Sequence, residues 1–201
     1  MYTEELQRML VNWTVLHSGH VDRRGYIGLS EMADCDLVIY QRYFNGQHFA
    51  MDEHLKAKIC FEMEAQLVER LRTMNIYSPG DEICLYDGLV QGHTDGVIGG
   101  QDLLEIKTVP RWEHIPTNFR LPSKVYYQVL AYLHFTKRKY AHIVYLARDS
   151  GLLQVFGLRY HEETGKKIAE KLERLVDAIR ETRRPECSCG HCGGNNHERK
   201  S

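Results

Sequence analysis

Residues 92–108 of this 201-residue chain read GHTDGVIGGQDLLEIKT, a pattern that predicts two short strands joined by a glycine turn. Side chains at positions i and i+2 of a strand share a face, so Glu105 and Lys107 should point the same way. The turn centres near Gly100, which places Asp95 of the first strand roughly opposite Glu105 of the second. We therefore expect two carboxylates and one ammonium group to converge on one small patch.

The second of these strands is mostly apolar, through Leu103, Leu104 and Ile106, which predicts that it lies inside a sheet. Buried carboxylates and a buried lysine cost free energy unless they are paired or bound to a metal ion. Oxygen ligands with a lysine beside them suit a Mg²⁺ or Mn²⁺ ion and the hydrolysis of phosphodiesters. The pattern alone leaves open an edge hairpin whose charged side chains are merely solvated.

A helix is predicted to begin at Ser123, a candidate N-cap residue that follows Pro122. Gln128 and Tyr132 are four residues apart, so they lie on one side of this helix. A glutamine in so apolar a stretch needs a hydrogen-bond partner, which the backbone could also supply. Tyr132 alone would be an ordinary core residue. The pair follows the lysine strand by about one loop, and this order favours a functional interpretation.

In this order, Asp95, the Glu-Ile-Lys triplet at 105–107 and the Gln-x-x-x-Tyr pattern at 128–132 resemble the motifs of the PD-(D/E)XK nuclease superfamily. They resemble most closely its RecB-like exonuclease branch, which includes phage recombination exonucleases and CRISPR-adaptation nucleases with an iron–sulfur cluster. The resemblance implies an α/β fold with a restriction-endonuclease-like core, in which helices flank a central mixed β-sheet. It also implies a Mg/Mn-dependent deoxyribonuclease, an exonuclease of DNA recombination, repair or phage DNA processing.

The superfamily usually carries an acidic residue or a histidine on the helix before the aspartate strand. The predicted helix at 51–75 offers Glu62 and Glu64, with His54 as a weaker candidate. The spacing of Leu55, Ile59, Met63 and Leu67 predicts the buried face of that helix. We expect Glu62 to be the metal ligand, because it lies next to that face. The alternative is that Glu62 and Glu64 are both solvated acids on the surface of the helix.

The expected mechanism is metal-assisted hydrolysis. Asp95, Glu105 and the Ile106 carbonyl would hold Mg²⁺ or Mn²⁺, and Glu62 would complete the shell or hold a second ion. Lys107 would orient the attacking water or stabilise charge on the phosphate. Gln128 and Tyr132 would position Lys107 or the DNA backbone. The residues that we expect to carry out catalysis are Asp95, Glu105, Lys107, Gln128 and Tyr132.

The chain has six cysteines, three of which crowd into the sequence PECSCGHCGG at 185–194. No secretory signal is evident, so we expect a cytoplasmic protein, in which clustered cysteines bind metal more often than they form disulfides. Cys187, Cys189 and Cys192 supply three thiolates, and Cys35 is the natural fourth ligand. The isolated Cys60 and Cys84 are expected to be small core residues.

Iron–sulfur nucleases of the RecB-like branch have one cysteine before the nuclease core and three after it. The resemblance therefore implies a [4Fe–4S] cluster bound by the four cysteines. A Zn²⁺ ion is the alternative, with His191 or His197 replacing one cysteine. A flexible tail with reactive thiols is a third interpretation.

Length and composition fit one globular domain. With the resemblance, we expect a single nuclease domain over 1–184, followed by a tail over 185–201 that binds metal together with Cys35. The net charge of −1 does not indicate a nucleic-acid binder, but a nuclease needs only a local basic groove. Arg111, Arg120 and Lys124 are expected to contact DNA phosphates, with solvated loop charges as the alternative. No apolar run approaches the ~18 residues of a membrane span, so we expect no membrane contact.

The predicted elements follow a simple order of helices and strands. They are helices at 3–17, after Ser30, at 51–75, from Ser123 and at 162–182, and strands at 82–86, 89–98, 103–109, 141–147 and 152–158. The expected partners are DNA and proteins of recombination or CRISPR adaptation. Two other functions stay open on the same fold: a catalytically silent DNA-binding or assembly module, and a zinc or iron–sulfur sensor.

Overall fold

The structure is a computed structural model that describes residues 21–22, 25–48, 51–117, 120–187 and 189. Side chains are described in these ranges except at 21–22, 47–48 and 51–57. The predicted helix at 3–17 lies outside the described residues. So do Cys192, His191 and His197, and the side chain of His54 is likewise not described.

The described residues form ten strands and four α-helices. In order they are β1 (Val21–Asp22), β2 (Ile27–Gly28), α1 (Asp36–Asn45), β3 (Gln47–His48), α2 (Met51–Thr73), β4 (Tyr77–Ser78), β5 (Glu82–Leu85), β6 (Val90–His93), β7 (Gly96–Ile98), β8 (Asp102–Val109), α3 (Ser123–Thr136), β9 (Tyr140–Ala147), β10 (Leu153–Arg159) and α4 (Glu162–Arg180). Two short 3-10 turns, Leu29–Glu31 and Trp112–His114, precede α1 and α3.

The main sheet has five strands in the order β10-β9-β8-β7-β4. Strands β8 and β9 are parallel and the other neighbours are antiparallel, so the sheet is mixed. A second sheet has three strands in the order β2-β6-β5, and β1 pairs with β3. The predicted α/β class and the mixed sheet flanked by helices are confirmed, and β8 lies inside the sheet, as its apolar sequence predicts.

The predicted single strand over 89–98 is wrong, because the chain leaves one sheet and enters the other at Thr94. Thr94 is fully buried, and its hydroxyl accepts the backbone N–H of Asp81 at 2.7 Å. A Cβ on Gly80 would lie 1.7 Å from the Thr94 carbonyl oxygen, so the crossing requires glycine there. The break ends β6 and begins β7, and it sets Asp95 at the bend between the two sheets.

The turn between β7 and β8 has the predicted register. Gly96 pairs with Leu104 and Ile98 with Asp102, so the two numbers of each pair sum to 200. Gly99 and Gly100 have φ values of 58° and 74°, in the left-handed region that tight hairpin turns use. Continuing the register by one residue sets Asp95 opposite Glu105.

Apolar side chains cover both faces of the main sheet. Helices α3 and α4 contribute to a large core on one face, and α4 buries its predicted stripe of Ile168, Leu172, Leu175 and Ile179. Helix α2 packs on the other face through Leu67, Val68 and Leu71. The predicted buried face of α2 is therefore wrong in part, since Ile59 is 44% exposed. Within the described residues, no helix combines the length and apolar character that a membrane span needs.

Candidate active site

Asp95 is fixed by the backbone of the neighbouring strand. Its Oδ2 accepts the N–H of Ile106 at 2.6 Å. Burial raises the pKa of Asp95, while the Ile106 N–H and the positive charge of Lys107 oppose the shift. The carboxylate thus lies half-buried at the end of β7 in one defined orientation.

Glu105 and Lys107 form an ion pair on one face of β8, with Nζ 2.6 Å from Oε1. Glu105 is 2% exposed, and this burial raises its pKa to about 7 against the opposing charge of Lys107. Its second oxygen, Oε2, is buried and has no hydrogen-bond partner among the described residues. A buried carboxylate oxygen without a donor suits a cation ligand, because such an atom otherwise only loses its hydration.

Gln128 of α3 connects the charged pair to the helix. Its Oε1 accepts from Lys107 Nζ at 3.0 Å, and its Nε2 donates to Glu105 Oε1 at 2.9 Å. The same Nε2 lies 3.1 Å from the Tyr132 hydroxyl, one helical turn away. Burial, followed by the charge of Glu105, raises the pKa of Tyr132, so this hydroxyl stays neutral at ordinary pH. The structure therefore brings together Asp95 and the four other residues that the motifs select.

The acid that α2 brings to this cluster is Glu64. Burial raises the pKa of Glu64 to about 7. The negative charge of Asp95 adds to the shift and the positive charge of Lys107 opposes it, and Glu64 in turn raises the pKa of Glu105. Glu62, which the sequence analysis preferred, is exposed on another side of the helix. The two acids differ in this way because α2 packs through the side that carries Glu64, Val68 and Leu71, and not through the side next to Glu62.

The carbonyl of Ile106 lies on the same edge of β8 as its N–H, because both backbone groups of a strand residue point to one side. That N–H is bonded to Asp95, so the carbonyl is directed toward the Asp95 side of the strand. Strand β7 begins only at Gly96, opposite Leu104, and does not cover this part of the edge. The predicted set of three oxygen donors, two carboxylates and one carbonyl, is thus compatible with one site.

The three basic residues predicted to contact DNA are all exposed, and no described acid forms an ion pair with them. Arg111 follows the end of β8, and Lys124 lies one turn before Gln128 on α3. Residues at i and i+4 share a helix side, so Lys124 is on the side of α3 that carries the site. Arg120 lies in the loop between them, so all three charges lie along the stretch of chain that joins β8 to α3.

A second cluster is formed by cysteines. The Sγ atoms of Cys35 and Cys187 are 3.7 Å apart, and those of Cys187 and Cys189 are 3.3 Å apart. All three lie within 4.8 Å of one another, which is compatible with ligands of one metal centre. The predicted fourth ligand, Cys192, is outside the described residues. Cys84 is exposed, which corrects the expectation of a core position, and Cys60 is partly buried.

The loop that carries Cys35 is held by a lysine that the sequence analysis missed. Lys171 of α4 donates to the backbone carbonyls of Met32, at 3.1 Å, and of Asp34. It also lies 3.3 Å from Oδ1 of Asp36, and its side chain is 18% exposed. The loop and the helix are far apart in the sequence, so no local pattern could have indicated this contact.

Comparison with known proteins identifies the fold. An alkaline exonuclease from Laribacter hongkongensis (LHK-Exo) superposes with a TM-score of 0.57 at 19% identity, over 81% of this chain and 93% of that one. The same exonuclease in complex with dAMP gives a TM-score of 0.61 at 16% identity, over 81% and 91%. A phage-related exonuclease from Haemophilus somnus 129PT gives 0.53 at 14% identity, over 77% and 80%.

This chain has the fold of these exonucleases. At such low identity the likeness establishes the fold alone. The sequence matches no protein-family model, and it has no significant match among curated proteins.

Proposed function

We propose that this chain is a Mg²⁺- or Mn²⁺-dependent deoxyribonuclease that hydrolyses phosphodiester bonds from DNA ends. The observation that carries the proposal is the cluster of Asp95, Glu105 and Lys107, which Gln128 connects and in which Glu105 Oε2 has no described hydrogen-bond partner. The exonuclease fold supports it, because this fold is shared with enzymes that are named for that reaction.

The donors of the cluster fit a hard divalent cation. Asp95, Glu105 and the Ile106 carbonyl would hold it, and Glu64 takes the place that we had expected for Glu62. When bound, the ion polarises a phosphoryl oxygen and lowers the pKa of a coordinated water. It also keeps these carboxylates deprotonated, because metal ligands bind in their charged form.

Lys107 is the group of the cluster best placed to meet the substrate. Its ammonium is held between two oxygens, Glu105 Oε1 and Gln128 Oε1, while 26% of its side chain stays exposed. The third N–H of the ammonium is then free to donate to a phosphate oxygen or to the attacking water. Because Gln128 fixes the direction of the ammonium, positive charge is preorganised where negative charge develops in the transition state.

DNA is the substrate that the surroundings favour. Arg111, Arg120 and Lys124 offer exposed positive charge for the backbone phosphates. The complex of LHK-Exo contains dAMP, a deoxynucleoside monophosphate, which is the kind of product that a DNA exonuclease releases. The proposal includes a cytoplasmic location for the protein, and partner proteins that act in recombination or CRISPR adaptation.

The cysteine cluster enters the proposal as a structural metal centre. Three thiol groups within reach of one another suit a soft metal, and a [4Fe–4S] cluster or a Zn²⁺ ion would complete its ligands with Cys192. The centre would join the loop before α1 to the segment after α4. The domain would then extend over 1–184, and the tail over 185–201 would close on it through Cys35.

The test is cleavage of end-labelled single-stranded and double-stranded DNA with and without Mn²⁺. The wild-type chain should shorten labelled DNA only with the ion, and Asp95→Asn and Lys107→Met should each lower the rate by about a hundredfold or more. Lys167→Met, a change at an exposed lysine of α4, should leave the rate unchanged.

The same assay separates the other two functions. DNA binding without cleavage in the wild-type chain would favour the silent assembly module on this fold. Neither binding nor cleavage, together with a metal-loaded tail, would favour the sensor. Cleavage retained in both Asp95→Asn and Lys107→Met would contradict the assignment of the active site.

A further inference from the structure

Tyr145 is a buried residue of β9 that lies beside the carboxylate cluster. Strands β8 and β9 pair in parallel with Lys107 opposite Tyr145 and Glu105 opposite Ile143. Paired residues of neighbouring strands project from the same face, so Tyr145 shares the face of Glu105 and Lys107. Its ring packs edge-on against Phe156 at a centroid distance of 5.4 Å. The ring is therefore anchored in the core while the hydroxyl lies toward the site.

The Tyr145 hydroxyl is one of three buried side-chain atoms without a hydrogen-bond partner in the described part of the chain. Another is Oε2 of Glu105, and the third is Nε of Arg148. A buried hydroxyl with no partner loses its hydration and gains nothing in return, so phenylalanine would fit the same space at lower cost. Burial and the nearby charge of Glu105 raise the pKa of Tyr145 to about 12, so the hydroxyl remains a donor.

The two unpartnered groups are complementary. Tyr145 offers an O–H donor, and Glu105 offers a carboxylate acceptor on the same face of the sheet. Carboxylates that bind metal ions are usually hydrogen-bonded by a neighbouring donor, which fixes their orientation on the ion. Gln128 and Lys107 already hold Oε1, and no described residue holds Oε2.

We propose that Tyr145 is a positioning residue of the divalent-metal centre: when the ion is bound, the Tyr145 hydroxyl would donate to the Glu105 carboxylate and hold Oε2 on the ion. The inference rests on the proposed metal site at Asp95 and Glu105. It assigns a role to a residue that lies outside the sequence motifs and that need not contact DNA. It also explains why β9 carries a tyrosine and not a phenylalanine at this core position, since functional sites are where such costs are retained.

The test is the binding of Mn²⁺ alone, measured by titration calorimetry on the full chain without DNA. Tyr145→Phe should weaken Mn²⁺ binding by about ten- to a hundredfold, the range found for outer-shell partners of metal ligands. The same variant should show an unchanged or raised melting temperature without metal, because the buried hydroxyl is removed. Asp95→Asn defines the binding signal that belongs to this site.

Tyr140→Phe is the matched control, since Tyr140 begins the same strand at the opposite end from Tyr145. It should leave the Mn²⁺ affinity unchanged. Wild-type affinity in Tyr145→Phe would overturn the inference, as would a lower melting temperature with unchanged affinity, which would indicate packing alone. If the wild-type chain binds Mn²⁺ and the variant binds it weakly, the inference holds even where DNA is not cleaved, and only the proposed function fails.

Discussion

The carboxylate site and the cysteine site are built in opposite ways. The first draws its residues from consecutive elements, the bend before β7, strand β8 and helix α3, and its charged groups already hold one another by hydrogen bonds. The second joins Cys35 to Cys187 across 152 positions, and the thiols of Cys35, Cys187 and Cys189 lie within 4.8 Å of one another. A site of local elements can be predicted from motif spacing, whereas a site of distant segments depends on the whole fold.

The largest effect that we expect is that a mutation in one site abolishes the property of that site and leaves the other site working. Glu105→Gln should lower DNA cleavage by at least about a hundredfold while the metal content of the tail stays unchanged. Cys187→Ser should lose the tail metal, while cleavage stays within about tenfold of wild type. The reason is that the Cys35 loop is held without the thiols, by Lys171 and by Arg42 of α1, which forms ion pairs with Glu31 and Asp34.

Anaerobic purification, elemental analysis and visible absorption measure the tail metal, and labelled DNA measures cleavage. Brown protein with iron near four per chain would indicate a [4Fe–4S] cluster, and colourless protein with one zinc would indicate a zinc site. If a folded Cys187→Ser chain does not cleave DNA, the two sites form one functional unit and do not work independently.

A second prediction concerns the stability of the metal-free chain, which the buried Glu105 of the carboxylate site should make dependent on pH. The pKa of Glu105 rises from 4.5 to about 7 on folding, so the folded chain holds this proton more tightly than the unfolded chain. The stabilisation is complete below about pH 4.5 and is lost as the pH rises through about 7. A shift of this size corresponds to a loss on the order of 3 kcal/mol of unfolding free energy.

Urea unfolding at a series of pH values without metal measures this effect. Glu105→Gln should reduce the fall in stability between about pH 4.5 and 7, because the amide does not titrate, and the part that remains belongs to Glu64, whose pKa is also raised to about 7. Glu62→Gln, at an exposed position of α2, should leave the fall as it is in the wild-type chain. A wild-type slope in Glu105→Gln would mean that other groups carry the dependence and that the burial of Glu105 does not tune it.

The residues of the carboxylate site could be predicted because strand periodicity and turn symmetry act over a few positions. The opposition of Asp95 and Glu105 followed from the glycine turn alone, and the register of β7 and β8 agrees with it. The break between β6 and β7 could not be predicted, because it depends on the close approach of Gly80 to Thr94. Such contacts are decided by packing between segments and leave no periodic signal in either one.

The buried face of α2 was mispredicted for a related reason. The helix carries apolar residues on several sides, and Ile59 and Phe61 are 44% and 70% exposed. Periodicity therefore selects more than one possible face, and only the sheet decides between them. The sheet contacts Leu67, Val68 and Leu71, which turns Glu64 toward the carboxylates.

The smallest expected effect follows from this correction and compares two acids that are two residues apart on α2. Glu64→Gln should lower cleavage at limiting Mn²⁺ by about tenfold, because the cluster loses one negative charge that attracts the ion. Glu62→Gln should leave cleavage within about twofold of wild type.

The effect of Glu64→Gln should also depend on pH. Because the pKa of Glu64 is raised to about 7, its carboxyl is neutral at lower pH, as is the amide that replaces it. The ratio of wild-type to Glu64→Gln rates should therefore fall toward one as the pH drops below about 7. A larger loss of cleavage in Glu62→Gln than in Glu64→Gln would support Glu62, the acid that the sequence analysis preferred. A ratio of rates that does not change with pH would show that Glu64 acts without its charge.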